Sequence, residues 1–270
     1  MGTGKTNKRF LVAAAALTLA AAVSGCGKTE DGLGGGELAA IKESGKLVIA
    51  TEGQWAPWTY HDESGELVGF DVEVARGIAE HIGVEAEFVE GEWDGLFAGL
   101  NSGRYDIIAN GVEWTEERAE KYDFSTPYGY IRTSLIVSSD NEDIHSFEDL
   151  KGKITTNSIA STYEQIARSY GVADVLGVDT IDETINLVIA GRADATLNAN
   201  VSFYDYLNVH PDAPIKEVAQ TEDASRVVIP VRKEESDFLK AVDEAIDGMR
   251  KNGSLSEISR RYFGSDITEE

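Results

Sequence analysis

The stretch EWDGLFAGLNSGRYDIIANGVEWTEERAEKYDFSTPYGYIRTSLIV, residues 92–137, decides the reading of this chain. Leu96, Phe97 and Leu100 fall at helical spacing, so Trp93 to Leu100 is predicted as a helix with these three inward. Tyr105 to Ala109 and Leu135 to Val137 are short apolar runs and read as buried strands. Between them Thr115 is placed to cap a short helix, with Glu116 and Glu117 in its first turn and Arg118 third. A guanidinium there can hold a carboxylate through two parallel hydrogen bonds, beside free backbone N–H groups. On spacing alone a surface ion pair with Glu117 or Asp123 explains Arg118 as well, and such a pair contributes little.

The same alternation continues on both sides. Leu47 to Ala50 reads as a strand, Asp71 to Ile82 as a helix stopped by Gly83, and Ala86 to Val89 as a strand. Further strands are predicted near Lys153 to Thr156, Ala173 to Val178, Ala193 to Leu197 and Arg226 to Val231. Helices run from about Ser236 to Arg250 and Leu255 to Tyr262. Four capping boxes are expected: Ser146 with Asp149, Ser161 with Glu164, Thr180 with Glu183, and Ser254 with Glu257. Alternating strands and helices imply an α/β fold with mostly parallel sheets. Ligands in such folds bind beyond the carboxyl ends of strands. By these strand positions, Glu52 and Trp55 follow the first strand, and Asn110, Gly111 and Glu113 follow the third.

Composition narrows the function classes. A length of 270 residues with 42% hydrophobic side chains supports real cores rather than disorder. A net charge of −24 disfavours nucleic acid and anionic membrane surfaces as partners. One cysteine permits neither an internal disulfide nor a cysteine zinc site. His61, His81, His145 and His210 lack metal-ligand spacing and read as surface residues, so neither metal nor cofactor is expected.

The first 26 residues read as an address. Lys5, Lys8 and Arg9 precede an apolar run from Phe10 to Val23 that is short for a membrane span. Val23-Ser24-Gly25-Cys26 matches the lipobox of bacterial lipoproteins, which implies removal of residues 1–25 and lipid on Cys26. Residues 26–37, with Gly32-Leu33-Gly34-Gly35-Gly36, read as a flexible tether. Neither this run nor Gly2-Thr3-Gly4-Lys5-Thr6 follows a strand, so neither is a nucleotide-binding loop.

Six segments in order, GELVGFDVEVARGIAEHIG (65–83), EWDGLFAGLNSGRYDIIANG (92–111), TEERAEKYDFSTPY (115–128), DLKGK (149–153), GRADA (191–195) and NGSLSEISRRYFG (252–264), carry a family resemblance. They are similar to the polar-amino-acid class of extracellular solute-binding proteins, the capture subunits of ABC importers. The resemblance implies a two-lobed periplasmic-binding-protein-like fold (type II) with a hinge between lobes. Lobe one would comprise 38–133 plus 230–270, and lobe two 134–229. It implies a monomer outside the cytoplasm, held to the membrane by lipid only, that hands an amino acid to a permease.

Carried over by motif, Arg118 resembles the arginine that holds the ligand α-carboxylate. Ser161 and Thr162 resemble the residues completing that site from lobe two, and Asn110, Gly111 and Glu113 the loop meeting the α-carbon end. Trp55 and Trp93 match two walls around the ligand side chain; for Trp58, core packing and ligand contact stay equally open. Trp114 reads as packing near the hinge or on the surface. Where many relatives carry an acid for the ligand ammonium, this chain has Ala199, within Leu197-Asn198-Ala199-Asn200. Either Glu113 or Glu52 replaces that acid from lobe one, with Glu113 the expected counter-charge, or the ligand is not a standard α-amino acid; Asn198 is a further candidate ligand contact, and the expected ligand is neutral polar or cystine-like. The alternative is a secreted dehydratase on the same fold, acting on a prephenate-like acid with Glu113 or Glu52 as general acid.

Overall fold

The computed structural model describes residues 36–270; the leader, Cys26 and most of the tether lie outside the described residues. Glu37, grouped with the tether above, instead opens a helix, Glu37–Ser44, and is buried. The fold is α/β and two-lobed, built on two main sheets.

The first sheet is parallel, with Lys46–Thr51 between Glu85–Glu90 and Ile107–Ile108. Strand side chains alternate between faces. Leu47 and Ile49 therefore join the core under helix Phe70–Ile82, which presents Val74, Ala75, Ile78 and Ile82. Ala50 and Ile108 face the other way, onto Leu96 and Leu100 of helix Trp93–Asn101. Both faces are covered, which is why these strands read as plain apolar runs rather than alternating ones. Gly83 closes the first helix in the left-handed region at φ 86°.

The second sheet is ordered Asp174–Gly177, Ile154–Asn157, Ala195–Ala199, Thr133–Ser138, Ile215–Gln220. Its first three strands are parallel, and Thr133–Ser138 runs antiparallel to both its neighbours. Leu135 and Val137 turn to one core and Ile136 to another, where it meets Ile185 and Phe203.

Between the two sheets the chain passes through two short antiparallel pairs. Tyr122–Phe124 pairs with Pro230–Arg232, and Gly129–Ile131 with Ser225–Val227. The single strand expected over 226–231 is therefore two, because each half pairs with a different partner. Helices Ser236–Asn252 and Ser254–Phe263 return to pack on Phe70–Ile82. Arg261 and the Tyr262 hydroxyl both bond the Glu73 carboxylate there, at 2.6 and 2.8 Å.

Other local expectations divide. Ser146–Asp149 and Thr180–Glu183 form full capping boxes. Ser161 caps its helix, but Glu164 bonds the N–H of Ala160 rather than that of the cap residue. Ser254 is no cap: Gly253 occupies that position and Ser254 is already helical. The strand expected over 105–109 shrinks to Ile107–Ile108, because only these residues pair with the first strand. Helix Asn200–Val209 and strand Ile215–Gln220 were not foreseen; both are rich in polar residues and show weak periodicity. Among the described residues, no helix is long and apolar enough to cross a membrane.

Candidate ligand site

The cavity between the two sheets is lined by residues from both. Glu52, Trp55, Trp93, Asn110, Gly111, Glu113 and Arg118 come from the first half, and Ser161, Thr162 and Asn198 from the second. All ten residues singled out from the sequence thus line one space.

Arg118 is built in from the backbone upward. The Thr115 hydroxyl caps helix Glu116–Ala119 by accepting from the Arg118 N–H at 3.2 Å. The side chain then folds inward and is 8% exposed. Nη1 donates to the Glu113 carbonyl at 2.9 Å, and Nη2 lies 3.4 Å from the Ala160 carbonyl. The guanidinium stands 5.3 and 5.2 Å from the ring centres of Trp93 and Phe97. Among the described residues, no carboxylate forms an ion pair with it. The surface pair with Glu117 or Asp123 does not exist: Glu117 pairs with Lys121, and Asp123 with Lys233. Burial lowers the Arg118 pKa, and the Glu113 charge opposes that shift. A buried cation without an ionic partner costs several kcal/mol, so the arrangement is suited to an incoming anion.

The facing wall is the start of helix Thr162–Ser169. Ser161 caps it, accepting from the Glu164 N–H at 3.1 Å, and the Thr162 hydroxyl donates to the Glu113 carboxylate. Ala160, just before the cap, sits at φ 62°, a conformation costly for alanine, and its carbonyl faces Arg118. Glu113 is 4% exposed. Its carbonyl receives Arg118 while its carboxylate receives Thr162, so it links the two walls.

The other end is organised by Asn110, which is fully buried. Its Oδ1 accepts from the Glu52 N–H at 2.8 Å and from the hydroxyls of Thr51 and Thr59 at 3.1 and 3.2 Å. Its Nδ2 donates to the Glu52 carboxylate. The Asn110 side chain thus holds Glu52 at both its backbone N–H and its carboxylate. Burial pushes the Glu52 pKa up to about 7; Asn110 opposes the shift, and the neighbouring Glu92 and Asp179 charges add to it.

Gly111 has φ 57°, and a Cβ there would lie 2.6 Å from the Trp55 ring, so only glycine fits. Its N–H donates to the carboxylate of Asp71, a wholly buried residue also bonded by the Tyr128 hydroxyl at 2.9 Å. Burial raises the Asp71 pKa to about 7 against both of those bonds. Trp55 stacks on Trp58, with ring centres 5.4 Å apart. Trp58 itself is core: it is fully buried, and its indole N–H donates to the Ser202 hydroxyl at 2.9 Å. Trp114 is half-exposed beneath Arg226.

The cavity also holds residues that sequence reasoning missed. Asn157, Tyr163, Asp179, Thr180 and Thr184 all line it. Asn157 ends a strand, so the rule that pointed to Glu52 and Asn110 would have found it. Tyr163 follows the Ser161 cap by two residues and looked like ordinary helix. Three buried polar atoms of the lining have no hydrogen-bond partner: Trp55 Nε1, Asn157 Oδ1 and the Tyr163 hydroxyl. Asn198 lies alongside, its Oδ1 accepting from the Ala199 N–H at 2.8 Å. His61, His81, His145 and His210 are all exposed, and no metal-binding cluster occurs among the described residues.

Residues 47–265 match the profile of the bacterial extracellular solute-binding proteins, family 3. A probable amino-acid ABC transporter-binding protein of Haemophilus influenzae is 38% identical, covering 87% of this chain and 91% of its own length. The L-cystine-binding protein TcyA of Bacillus subtilis is 35% identical over 97% of this chain and 100% of its own. The solved structure of an ancestral arginine-binding protein bound to arginine superposes with a TM-score of 0.76, at 36% identity, over 82% of this chain and 99% of that one. The chain belongs to the bacterial extracellular solute-binding proteins, family 3, and is a binding protein rather than an enzyme.

Proposed function

We propose that this protein captures a polar amino acid between its lobes and delivers it to an ABC permease. The observation that carries this reading is Arg118, a buried guanidinium with two carbonyl partners and no carboxylate partner among the described residues. In this reading the ligand α-carboxylate takes Arg118, supported by Ser161 and Thr162 at a helix start. Glu113 supplies the ammonium counter-charge in place of Ala199, and Trp55 and Trp93 flank the side chain. Cystine-like ligands are favoured over simple neutral ones by the likeness to an L-cystine-binding protein.

The same proposal assigns 38–133 plus 230–270 to lobe one and 134–229 to lobe two, with a hinge at the two short strand pairs. Ligand would then shift an open–closed equilibrium. It retains lipid on Cys26, an otherwise monomeric protein, and no other membrane contact. The dehydratase is the weaker reading, since the relatives described above are binding proteins.

The test is a thermal-shift screen of residues 27–270 against all amino acids and cystine. A ligand at about 100 times its dissociation constant stabilises the protein by about 2.7 kcal/mol. A shift with one amino acid, lost in Arg118→Ala, is the expected result. No shift with any amino acid, together with turnover of a prephenate-like acid, would reverse the reading.

A further inference from the structure

Asp71 is not part of the cavity lining, yet three parts of the site converge on it. It is the second residue of helix Phe70–Ile82 and is wholly buried. Its backbone N–H donates to the Trp58 carbonyl at 3.1 Å, and the Phe70 N–H donates to the Pro57 carbonyl at 3.0 Å. The helix start thereby fixes the turn carrying Trp58, on which Trp55 stacks. One carboxylate oxygen accepts from the Gly111 N–H, and the other from the Tyr128 hydroxyl at 2.9 Å.

Those two donors serve different parts of the molecule. Gly111 leads into Glu113, whose carbonyl anchors Arg118. Tyr128 immediately precedes Gly129–Ile131, one of the strands placed at the hinge above. The return strand Ser225–Val227 ties the same two stretches together. Its Arg226 carbonyl accepts from the Trp114 N–H and its Val227 carbonyl from the Tyr128 N–H, each at 2.9 Å. Phe70 stacks on the Tyr128 ring, with centres 5.7 Å apart, and so holds the hydroxyl toward Asp71. Gly111 and Tyr128 are both buried, and a buried donor without an acceptor is costly. An apolar side chain at position 71 would leave both unpaired, and a single hydroxyl is too short to reach both. A forked side chain of this length serves the two at once.

We propose that Asp71 is a positioning residue for ligand capture, holding the loop from Asn110 to Glu113 with one carboxylate oxygen and the hinge with the other, so that the two move as one unit. This rests on the capture reading above and adds how the site is held in register with the hinge. Burial drives the Asp71 carboxyl toward its neutral form, so asparagine is a near isostere that keeps the fork.

Hydrogen exchange of the purified full chain, without added amino acid, reads the positioning directly. Asp71→Ala should speed exchange by about tenfold or more in 110–113 and 128–131, with little change in the second-sheet strand Ile154–Asn157. Asp71→Asn should restore slow exchange in both segments. L-cystine and the twenty standard amino acids are the binding probes, each followed by titration calorimetry. Whichever binds the unaltered protein should bind Asp71→Ala about tenfold or more weakly, and Asp71→Asn within about threefold of the unaltered affinity. Exchange that rises equally in all three segments would make Asp71 a purely structural residue and overturn the proposal. Unchanged exchange in 110–113, unchanged affinity in Asp71→Ala, or no rescue by Asp71→Asn would overturn it as well. Should Asp71→Ala not fold, Tyr128→Phe carries the test by removing one oxygen atom. It should speed exchange in 128–131 and weaken binding by about threefold or more, and wild-type behaviour in both overturns the link to the hinge. If none of the probes binds the unaltered protein, the capture reading falls, while the exchange pattern still decides whether Asp71 holds loop and hinge together.

Discussion

Replacing Arg118 with methionine separates a ligand-receiving cation from a structural one. Methionine keeps the length and packing of the stem against Trp93 and Phe97, whose ring centres lie 5.3 and 5.2 Å from the guanidinium. The substitution removes one well-formed bond, to the Glu113 carbonyl at 2.9 Å, and one long one, to Ala160 at 3.4 Å. Bonds from a charged donor contribute about 1.5–3 kcal/mol each, and the second is weakened by its length. Against that loss stands relief of several kcal/mol of desolvation, since the side chain is 8% exposed and unpaired. The two effects nearly cancel, so ligand-free stability should change by no more than about 1 kcal/mol, or about 2–4 °C in melting midpoint. Binding has no such compensation. Losing two charge-assisted bonds to a carboxylate costs about 3–6 kcal/mol, a drop of about 10²- to 10⁴-fold in affinity. Differential scanning calorimetry without ligand and titration calorimetry with it read the two quantities separately. A fall of about 8 °C or more in the ligand-free midpoint would mean that Arg118 holds the fold together. Unchanged affinity would mean that the carboxylate docks elsewhere; either result refutes the reasoning.

Glu113→Gln should weaken amino-acid binding by about tenfold or more while leaving the ligand-free melting midpoint nearly unchanged, since glutamine can still accept from Thr162; near-normal affinity in titration would remove Glu113 as the ammonium partner. Gly111→Ala places a methyl 2.6 Å from the Trp55 ring at φ 57°, and should destabilise by about 1–3 kcal/mol and lower affinity, both read by calorimetry. Glu52 and Asp71 both have folded pKa values raised to about 7 against ordinary values of 4.5 and 3.8, so each is protonated in the folded state at a pH where the unfolded chain is ionised. Their contribution is fully present below those ordinary values and is lost as pH rises toward 7, so ligand-free melting midpoints should decline from about pH 5 to about pH 7.5, and less steeply in Glu52→Gln. A midpoint that rises over that interval would contradict both shifts.

The parts of this fold legible in the sequence are those where one physical signal acts alone. Ile78 and Leu96 are apolar at helical spacing and are buried where it places them, and Leu47 and Ile49 lie buried within the apolar run read as a strand. The Thr115 cap could be seen because a hydroxyl three residues before Arg118 has one good use in that context. Illegible parts depend on tertiary pairing. Pro230–Arg232 and Ser225–Val227 look like one strand until two different partners divide them. Trp58 and Trp55 have the same chemistry three residues apart, and only the tertiary neighbours Phe70, Phe263 and Ser202 make Trp58 core. Asn157, by contrast, ends a strand and is open to the same rule that points to Glu52 and Asn110.

The return of the chain to its first sheet has a consequence for how the protein matures. Lys46–Thr51 and Phe70–Ile82 are synthesised early, yet Pro230–Arg232, Ser236–Asn252 and Ser254–Phe263 come last. Glu73 must wait 188 residues for Arg261. The second sheet, by contrast, is complete once Ile215–Gln220 has been made. Contacts so distant in sequence form slowly, because loop closure precedes any gain from them. A nascent chain lacking its last two helices therefore lacks the layer that packs on Phe70–Ile82. Consolidation of the first sheet is thereby set at the end of synthesis, after the second sheet has all of its strands.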